Sequence, residues 1–264
     1  MGVSAASRVA LLVLHSAPQP LRPPSVITGR GIAKPLPCLT CPAKAKNVCK
    51  PLEYDRQKEL FQLGHQSKWE PRQFLFRAGS PAGPLFKIIS GIVAVSKGLP
   101  DGRRQIIALV FPGDICGYTQ INGQYVYDGE AITPVTACAF DRSRFNAFIH
   151  RNPDVADAMA TLLQEKLERV RQHLTIVGQL TSTERLASFL SMLARAYSEH
   201  GFQVRPLVMP MKRSDVSEYL GLRTETISRA FTKLRKQRLI ELDDDDSIII
   251  CDPIRLSRLG NAMD

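Results

Sequence analysis

The chain has no apolar run long enough to span a bilayer as a helix, which takes about 20 consecutive residues, so a membrane-spanning protein is not expected. The N-terminal "VALLVL" at 9–14 is short and is broken by His15, which argues against an export signal and for a cytoplasmic protein. There is no phosphate-binding loop, no H-E-x-x-H and no nucleophile elbow. The five histidines (His15, His65, His150, His173 and His200) are scattered and form no catalytic constellation, so an enzyme is not expected. Acidic residues are in deficit: 25 Asp and Glu stand against 35 Lys and Arg, a net charge of +10 at pH 7. That imbalance points to a polyanionic partner, most often nucleic acid, or to an ordinary basic protein; where the charge sits decides between them.

With 264 residues and 44% apolar composition the chain can bury one large core or two modest ones. Residues 1–37, rich in proline and alanine, are expected to be a disordered or loosely attached extension. From about 52 to 148, short apolar runs alternate with turn signals, and Pro100-Asp101-Gly102 separates "GIVAVSKG" from "RRQIIALVF" as a hairpin turn would. This regular spacing suggests an antiparallel roll or barrel. At Asn152-Pro153-Asp154 a helix is expected, with Asn as N-cap and Pro at the first position. Met159, Leu163, Leu167, Val170, Leu174 and Val177 then recur at near-heptad spacing. The stripe could simply cover the roll, but a helix of about 25 residues, roughly 37 Å long, has length to spare, which favours a dimer seam. A second helix opens at Thr181 with Glu184 as a capping-box partner and is expected to stop at Gly201.

The C-terminal stretch "MKRSDVSEYLGLRTETISRAFTKLRKQRLIEL" has helix-turn-helix form. Val216, Tyr219 and Leu220 mark one inner face, Gly221 the turn, and Ile227, Ala230, Phe231 and Leu234 the inner face of a second helix. Six basic residues and one acidic residue lie between Leu222 and Arg238, a footprint suited to phosphates. The outer face carries Glu225, Ser228 and Arg229. In a major groove Arg can donate twice to guanine and Glu can accept from cytosine N4. The plainer reading of Glu225 and Arg229 is a solvated i,i+4 pair. Arg213, Arg223, Thr224 and Lys233 are the expected backbone contacts. "RLIEL" and "SIIICD", joined by aspartates at 243–246, read as a wing whose acidic tip stays off the duplex.

Three of six cysteines fall in "CLTCPAKAKNVC", Cys38, Cys41 and Cys49; Cys116, Cys138 and Cys251 are scattered. The spacing leaves three chemistries open: an iron–sulfur cluster, a zinc site with His65 available, and a thiol switch. Zinc modules usually bring a second Cys-x-x-Cys pair, which is missing. Cys251, in the wing strand, is expected to be a buried small apolar residue.

Taken together, these motifs resemble the CRP/FNR family of bacterial transcription regulators over roughly residues 36–258. Glu225-Thr-Ile-Ser228-Arg229 is similar to the E-x-x-S-R signature of its FNR and FixK branches. The resemblance implies an α+β fold: a cysteine loop plus antiparallel β-roll of the cyclic-nucleotide-binding kind (38–151), a dimerisation helix (152–180) and a winged helix-turn-helix (181–258). Tyr118 stands where cyclic-nucleotide rolls carry Glu, and their Arg is missing from "GDICGYTQINGQYVYDGEAIT", so no cyclic nucleotide is expected. The C-x2-C-x7-C spacing is similar to that of FnrN- and FnrL-like regulators. It implies a [4Fe–4S] cluster on Cys38, Cys41, Cys49 and Cys138, with Cys116 as runner-up for the fourth ligand. The implied activity is oxygen-responsive binding of a homodimer to double-stranded DNA resembling TTGAT-N4-ATCAA, with Arg229 on the G·C pair, Glu225 on its cytosine and Ser228 near a thymine. RNA polymerase is the implied protein partner. Lys212 stands where the family usually caps the first motif helix with Ser or Thr; Ser214 or Asp215 could shift that cap.

Overall fold

The computed structural model describes residues 37–199, 207–243 and 247–261. The chain divides into Met1–Pro35 and Leu36–Asp264. The expected N-terminal extension up to residue 36, the stop at Gly201 and three of the four wing-tip aspartates lie outside the described residues.

After two 3₁₀ turns, Pro37–Thr40 and Asn47–Cys49, comes helix α1 (Tyr54–Gln62). Ten short strands follow: β1 (Gly64–Trp69), β2 (Phe74–Phe76), β3 (Leu85–Ser90), β4 (Val93–Gly98), β5 (Arg104–Val110), β6 (Ile115–Cys116), β7 (Gln120–Ile121), β8 (Gln124–Tyr125), β9 (Asp128–Ala131) and β10 (Val135–Phe140). They form two four-stranded antiparallel sheets, β1-β10-β3-β6 and β2-β9-β4-β5, and a small β7-β8 ribbon. The turn between β4 and β5 is the one expected at Pro100-Asp101-Gly102: Gly102 takes φ 84° and its N–H donates to the Leu99 carbonyl at 3.0 Å.

Strand alternation builds two cores from one sheet. On β10, Val135, Ala137 and Ala139 face inward between the sheets, as do Phe86 and Ile88 of β3. Cys138 and Phe140 of β10, with Leu85 and Ile89 of β3, face the other way, into a cluster covered by the cysteine clip and helices. The inner core is aromatic. The Phe76 ring stacks on Tyr125 at 4.8 Å and on Phe86 at 5.7 Å, and Trp69 meets Phe86 edge-on at 5.6 Å. A Cβ on Gly129 would stand 2.3 Å from the Phe76 ring, so glycine is required there.

Helix α2 (Arg142–Arg151) leads into α3 (Pro153–Gln179), 27 residues or about 40 Å. Asn152 precedes α3 as expected but does not cap it: its side chain donates instead to the Phe148 carbonyl at 2.8 Å. Only Val155 and Leu162 of α3 are buried. Helix α4 (Ser182–Glu199) follows, and the Thr181 N–H and hydroxyl both donate to the Glu184 carboxylate at 2.8 Å, the glutamate half of the expected capping box. Among the described residues no helix is long and apolar enough to cross a membrane.

Helices α5 (Arg213–Leu220) and α6 (Thr224–Lys236), strands β11 (Ile240–Leu242) and β12 (Ile248–Ile250), and α7 (Pro253–Gly260) make a winged helix-turn-helix. Gly221 ends α5 at φ 63°, where its missing Cβ avoids left-handed strain. The cap displaced by Lys212 is supplied from Asp215, whose carboxylate accepts from the Lys212 N–H at 3.1 Å. Cys251 departs from expectation. It follows β12 and is exposed, because Ile248 and Ile250 take the inward phase.

Asp215 also ties this module to the roll. It is 2% exposed, accepts from Arg72 at 2.9 and 2.6 Å, and from Arg104 at 3.1 Å. Arg104 also pairs with Glu130 and Glu218. Burial alone would raise the Asp215 carboxyl, but Arg72 overrides it and leaves it below the ordinary value. The stability this adds is therefore complete above an ordinary carboxylate pKa of about 4 and lost as pH falls below it. Asp215→Asn should lower unfolding stability by about 1–3 kcal/mol at neutral pH in chemical denaturation. The deficit should shrink as the pH drops below about 4.

Candidate functional site

The cysteine clip is a chain of tight turns. Cys41 N–H donates to the Cys38 carbonyl at 3.4 Å, Lys44 N–H to that of Cys41 at 3.1 Å, and Leu52 N–H to that of Cys49 at 3.3 Å. Proline and small residues suit such winding, because no periodic apolar face asks for a helix. Two anchors hold the clip to the roll. Lys87 Nζ donates to the Ala43 carbonyl at 2.8 Å, and Asn47 Nδ2 donates to the Gly113 carbonyl at 2.7 Å.

Cys41 and Cys49 pack into the same outer cluster as Cys138. The Cys38 thiol joins them electrostatically: burial pushes it up to about 11, Cys49 and Cys41 add to the rise, and Lys87 opposes it. Burial likewise pushes Cys138 up to about 12, with Cys38, Cys41 and Cys49 adding and Lys87 opposing. The four thiols thus share one neighbourhood. Among the described residues no group of three or more His, Cys, Asp or Glu side chains is drawn up to hold a single metal ion. A thiol-only donor set suits soft metals and iron–sulfur clusters, and a cluster spreads its thiolates wider than one ion would.

Cys116 is elsewhere. It lies in the core between the sheets and is pushed up to about 12 by burial, with Lys166 and Asp114 as its charged neighbours. His65 pairs with Ala139 in the ladder, so it lies on the face opposite Cys138, and it is exposed. Two participants were not anticipated. Lys87 pairs across the ladder with Cys138; its sequence signal was a lone cation in the apolar strand "LFKIIS". Asp114 accepts from Lys166 at 3.3 Å and from Arg169 at 3.2 Å, and lies 3.5 Å from Asn47 Nδ2. The turn Asn47–Cys49 itself packs on α3. A polar path therefore runs from the clip to α3, and no local pattern in the sequence announces it.

On α3 the apolar series divides. Leu163, Leu167, Val170 and Leu174 are exposed, rising to 72% at Leu174. Met159 packs into the outer cluster, and a Cβ on Gly221 would meet Val177 at 3.4 Å, so the two ends are engaged within the chain. His173 stacks on Tyr219 at 4.3 Å.

The second exposed site is the outer face of α6. Ile227, Ala230, Phe231 and Leu234 are buried, which leaves Arg223, Thr224, Glu225, Ser228, Arg229 and Lys233 facing solvent. Among the described residues neither Glu225 nor Arg229 enters an ion pair within 4.0 Å, so both keep their hydrogen-bonding groups. The Ser228 hydroxyl donates to the Thr224 carbonyl at 3.1 Å, leaving its lone pairs and methylene outward. Arg213 holds its guanidinium 4.1 Å over the ring of Phe231, on the inner face of α6, and among the described residues its buried Nη1 has no hydrogen-bond partner.

A model described as the cyclic nucleotide-binding domain matches residues 66–152, and one described as the Crp-like helix-turn-helix domain matches 184–259. The chain is 30% identical to the nitrogen fixation regulation protein FixK of Bradyrhizobium diazoefficiens over 226 residues, covering 85% of this chain and 94% of FixK. It is 28% identical to the anaerobic regulatory protein of Pasteurella multocida, covering 85% and 83%. The solved structure of FixK2 from Bradyrhizobium japonicum superposes with TM-score 0.65 at 27% identity, covering 74% of this chain and 96% of that one.

The burial contrast predicts thiol reactivity. In native protein at pH 8, iodoacetamide should label Cys251 and leave Cys116 unlabelled until the protein is unfolded, as read by peptide mass spectrometry.

Proposed function

The chain belongs to the CRP/FNR family of DNA-binding transcription regulators, and on that premise we propose that it is an oxygen-responsive regulator. In this reading it holds a [4Fe–4S] cluster on Cys38, Cys41, Cys49 and Cys138 and binds a palindromic DNA site as a homodimer. The family is one of DNA-binding regulators and not of enzymes. The observation that carries the cluster reading is the gathering of three clip cysteines around Cys138 on the outer face of the roll. The donors fit: four thiols with the buried Lys87 beside them. When bound, the cluster supplies an oxygen-labile tie between clip and roll.

The protein's own residues carry the rest. With the clip held, Asn47 stays on Gly113 and Asp114, and Asp114 keeps Lys166 and Arg169 in place on α3. Those two residues flank Leu167 and Val170, part of the exposed stripe that would zip against a second copy. Pairing sets two α6 helices to read half-sites about 34–36 Å apart. Arg229 donates to guanine O6 and N7, Glu225 accepts from cytosine N4, and Ser228 lies against a thymine methyl. Arg213, Arg223, Thr224 and Lys233 fix the register on phosphates. RNA polymerase is the proposed protein partner. Cyclic nucleotide has no place in this reading: Phe76, Phe86 and Tyr125 stack among aliphatic side chains between the sheets, and Tyr118 stands where cyclic-nucleotide rolls carry Glu.

Protein purified without oxygen should carry about four irons per chain and retard a TTGAT-N4-ATCAA duplex. Cys138→Ala should lose the iron and Cys116→Ala should keep it. Equal DNA affinity before and after air exposure would reject the oxygen switch, and zinc in place of iron would favour a metal-tied regulator of another kind. Arg229→Ala should weaken specific binding by about 1–3 kcal/mol, roughly ten- to a hundredfold, and relax selection at its base pair.

A further inference from the structure

Lys87 is among the largest fully buried side chains of the protein, at 2% exposure. It sits on β3, whose phase turns it away from the aromatic interior and towards the clip, directly across the ladder from Cys138. A buried ammonium without a partner is costly, so such lysines are found paired. Yet among the described residues no carboxylate lies within 4.0 Å of its Nζ. Of its three N–H donors, one is placed, on the Ala43 carbonyl at 2.8 Å, midway along the clip between Cys41 and Cys49. Ala43 is itself 1% exposed, so water does not take the others' place readily. Its charge reaches the thiols: Lys87 acts on both Cys38 and Cys138.

We propose that Lys87 is a positioning residue and counter-charge of the cysteine site. Its ammonium fixes the Ala43 carbonyl so that the clip closes over Cys138, and its charge acts on the sulfur atoms across the ladder. The inference rests on the cluster reading above. Four thiolates around a [4Fe–4S] core leave net negative charge in an apolar setting, part of which the buried Lys87 cation offsets. A cation and N–H donors near cluster sulfurs also favour the more negative, reduced form and therefore raise the reduction potential. Lys87 thus governs how firmly the site retains iron, separately from the four ligands.

The test compares wild type with Lys87→Met, which keeps length without charge or donors, and Lys87→Arg, which keeps both, all purified without oxygen. Three quantities are read: iron per chain, the midpoint potential of the bound group, and the rate of absorbance loss in air. Lys87→Met should hold at most half the wild-type iron; what it holds should have a more negative midpoint and bleach several-fold faster. Lys87→Arg should stay near wild type. A Lys87→Met protein that matches wild type in iron, midpoint and bleaching overturns the role of Lys87 and leaves the cluster reading standing. Wild type without iron overturns the cluster reading itself, and Lys87 with it. Should circular dichroism find Lys87→Met unfolded, Lys87→Gln, a shorter neutral donor, takes its place; loss of iron supports the proposal and wild-type iron overturns it.

Discussion

A β-strand offers alternate residues to opposite faces, and the two strands at the centre of the roll turn that necessity into a partition between structure and chemistry. One phase of β3 and β10 supplies Phe86, Ile88, Val135, Ala137 and Ala139 to a packed interior. The other phase supplies Lys87 and Cys138 to the clip. A one-residue slip in register would bury the cation among aromatic rings and withdraw Cys138 from the other thiols. The same rule separates Cys116 from the clip, since its neighbour Ile115 takes the outer phase. The aromatic packing therefore does more than stabilise the roll: by enforcing the register it holds the outer face in place.

From that face the structure extends by charge. Asn47, Asp114, Lys166 and Arg169 connect clip to α3 through partly buried hydrogen bonds. Arg72, Arg104 and Glu130 connect the roll to Asp215 and Glu218 of α5. Buried ionic groups are poor sources of net stability, because desolvation cancels most of the attraction. Their value here is placement. Carboxylates such as Asp114 and Asp215 accept from several donors at once, so each fixes the relative position of elements far apart in sequence. Such junctions change arrangement when one partner is removed. Leu167 and Val170 of the exposed α3 stripe each follow one of the Asp114 partners, Lys166 and Arg169, in the chain.

Elements whose residues repeat with a helical or strand period were legible in the sequence. The inner faces of α5 and α6, the β4–β5 turn and the glycine between the motif helices follow from local chemistry, because each is decided within a few residues. The clip was legible as a metal or redox motif by spacing alone. Local rules failed where two partners competed for one group. Asn152 is a good cap by type, yet its amide is drawn to the Phe148 carbonyl. Cys251 is a buried residue by type, yet two isoleucines on β12 occupy the inward phase and leave it exposed. Met159 and Val177 share the period of the α3 stripe but pack within the chain, since the ends of a long helix meet the domains on either side.

The sequence by itself therefore determined the order of modules, the basic outer face of α6 and the three clustered cysteines, all short-range features set by composition and period. Cys138 was implied by the family resemblance, and strand phase turns it towards the clip; the tertiary structure alone decided that a buried lysine stands across the ladder from it and how Asp114 and Asp215 join segments as much as 143 residues apart. Those outcomes depend on strand register and on which charges meet when the chain closes. No window of the sequence contains that information, because the partners are neighbours only in the folded state.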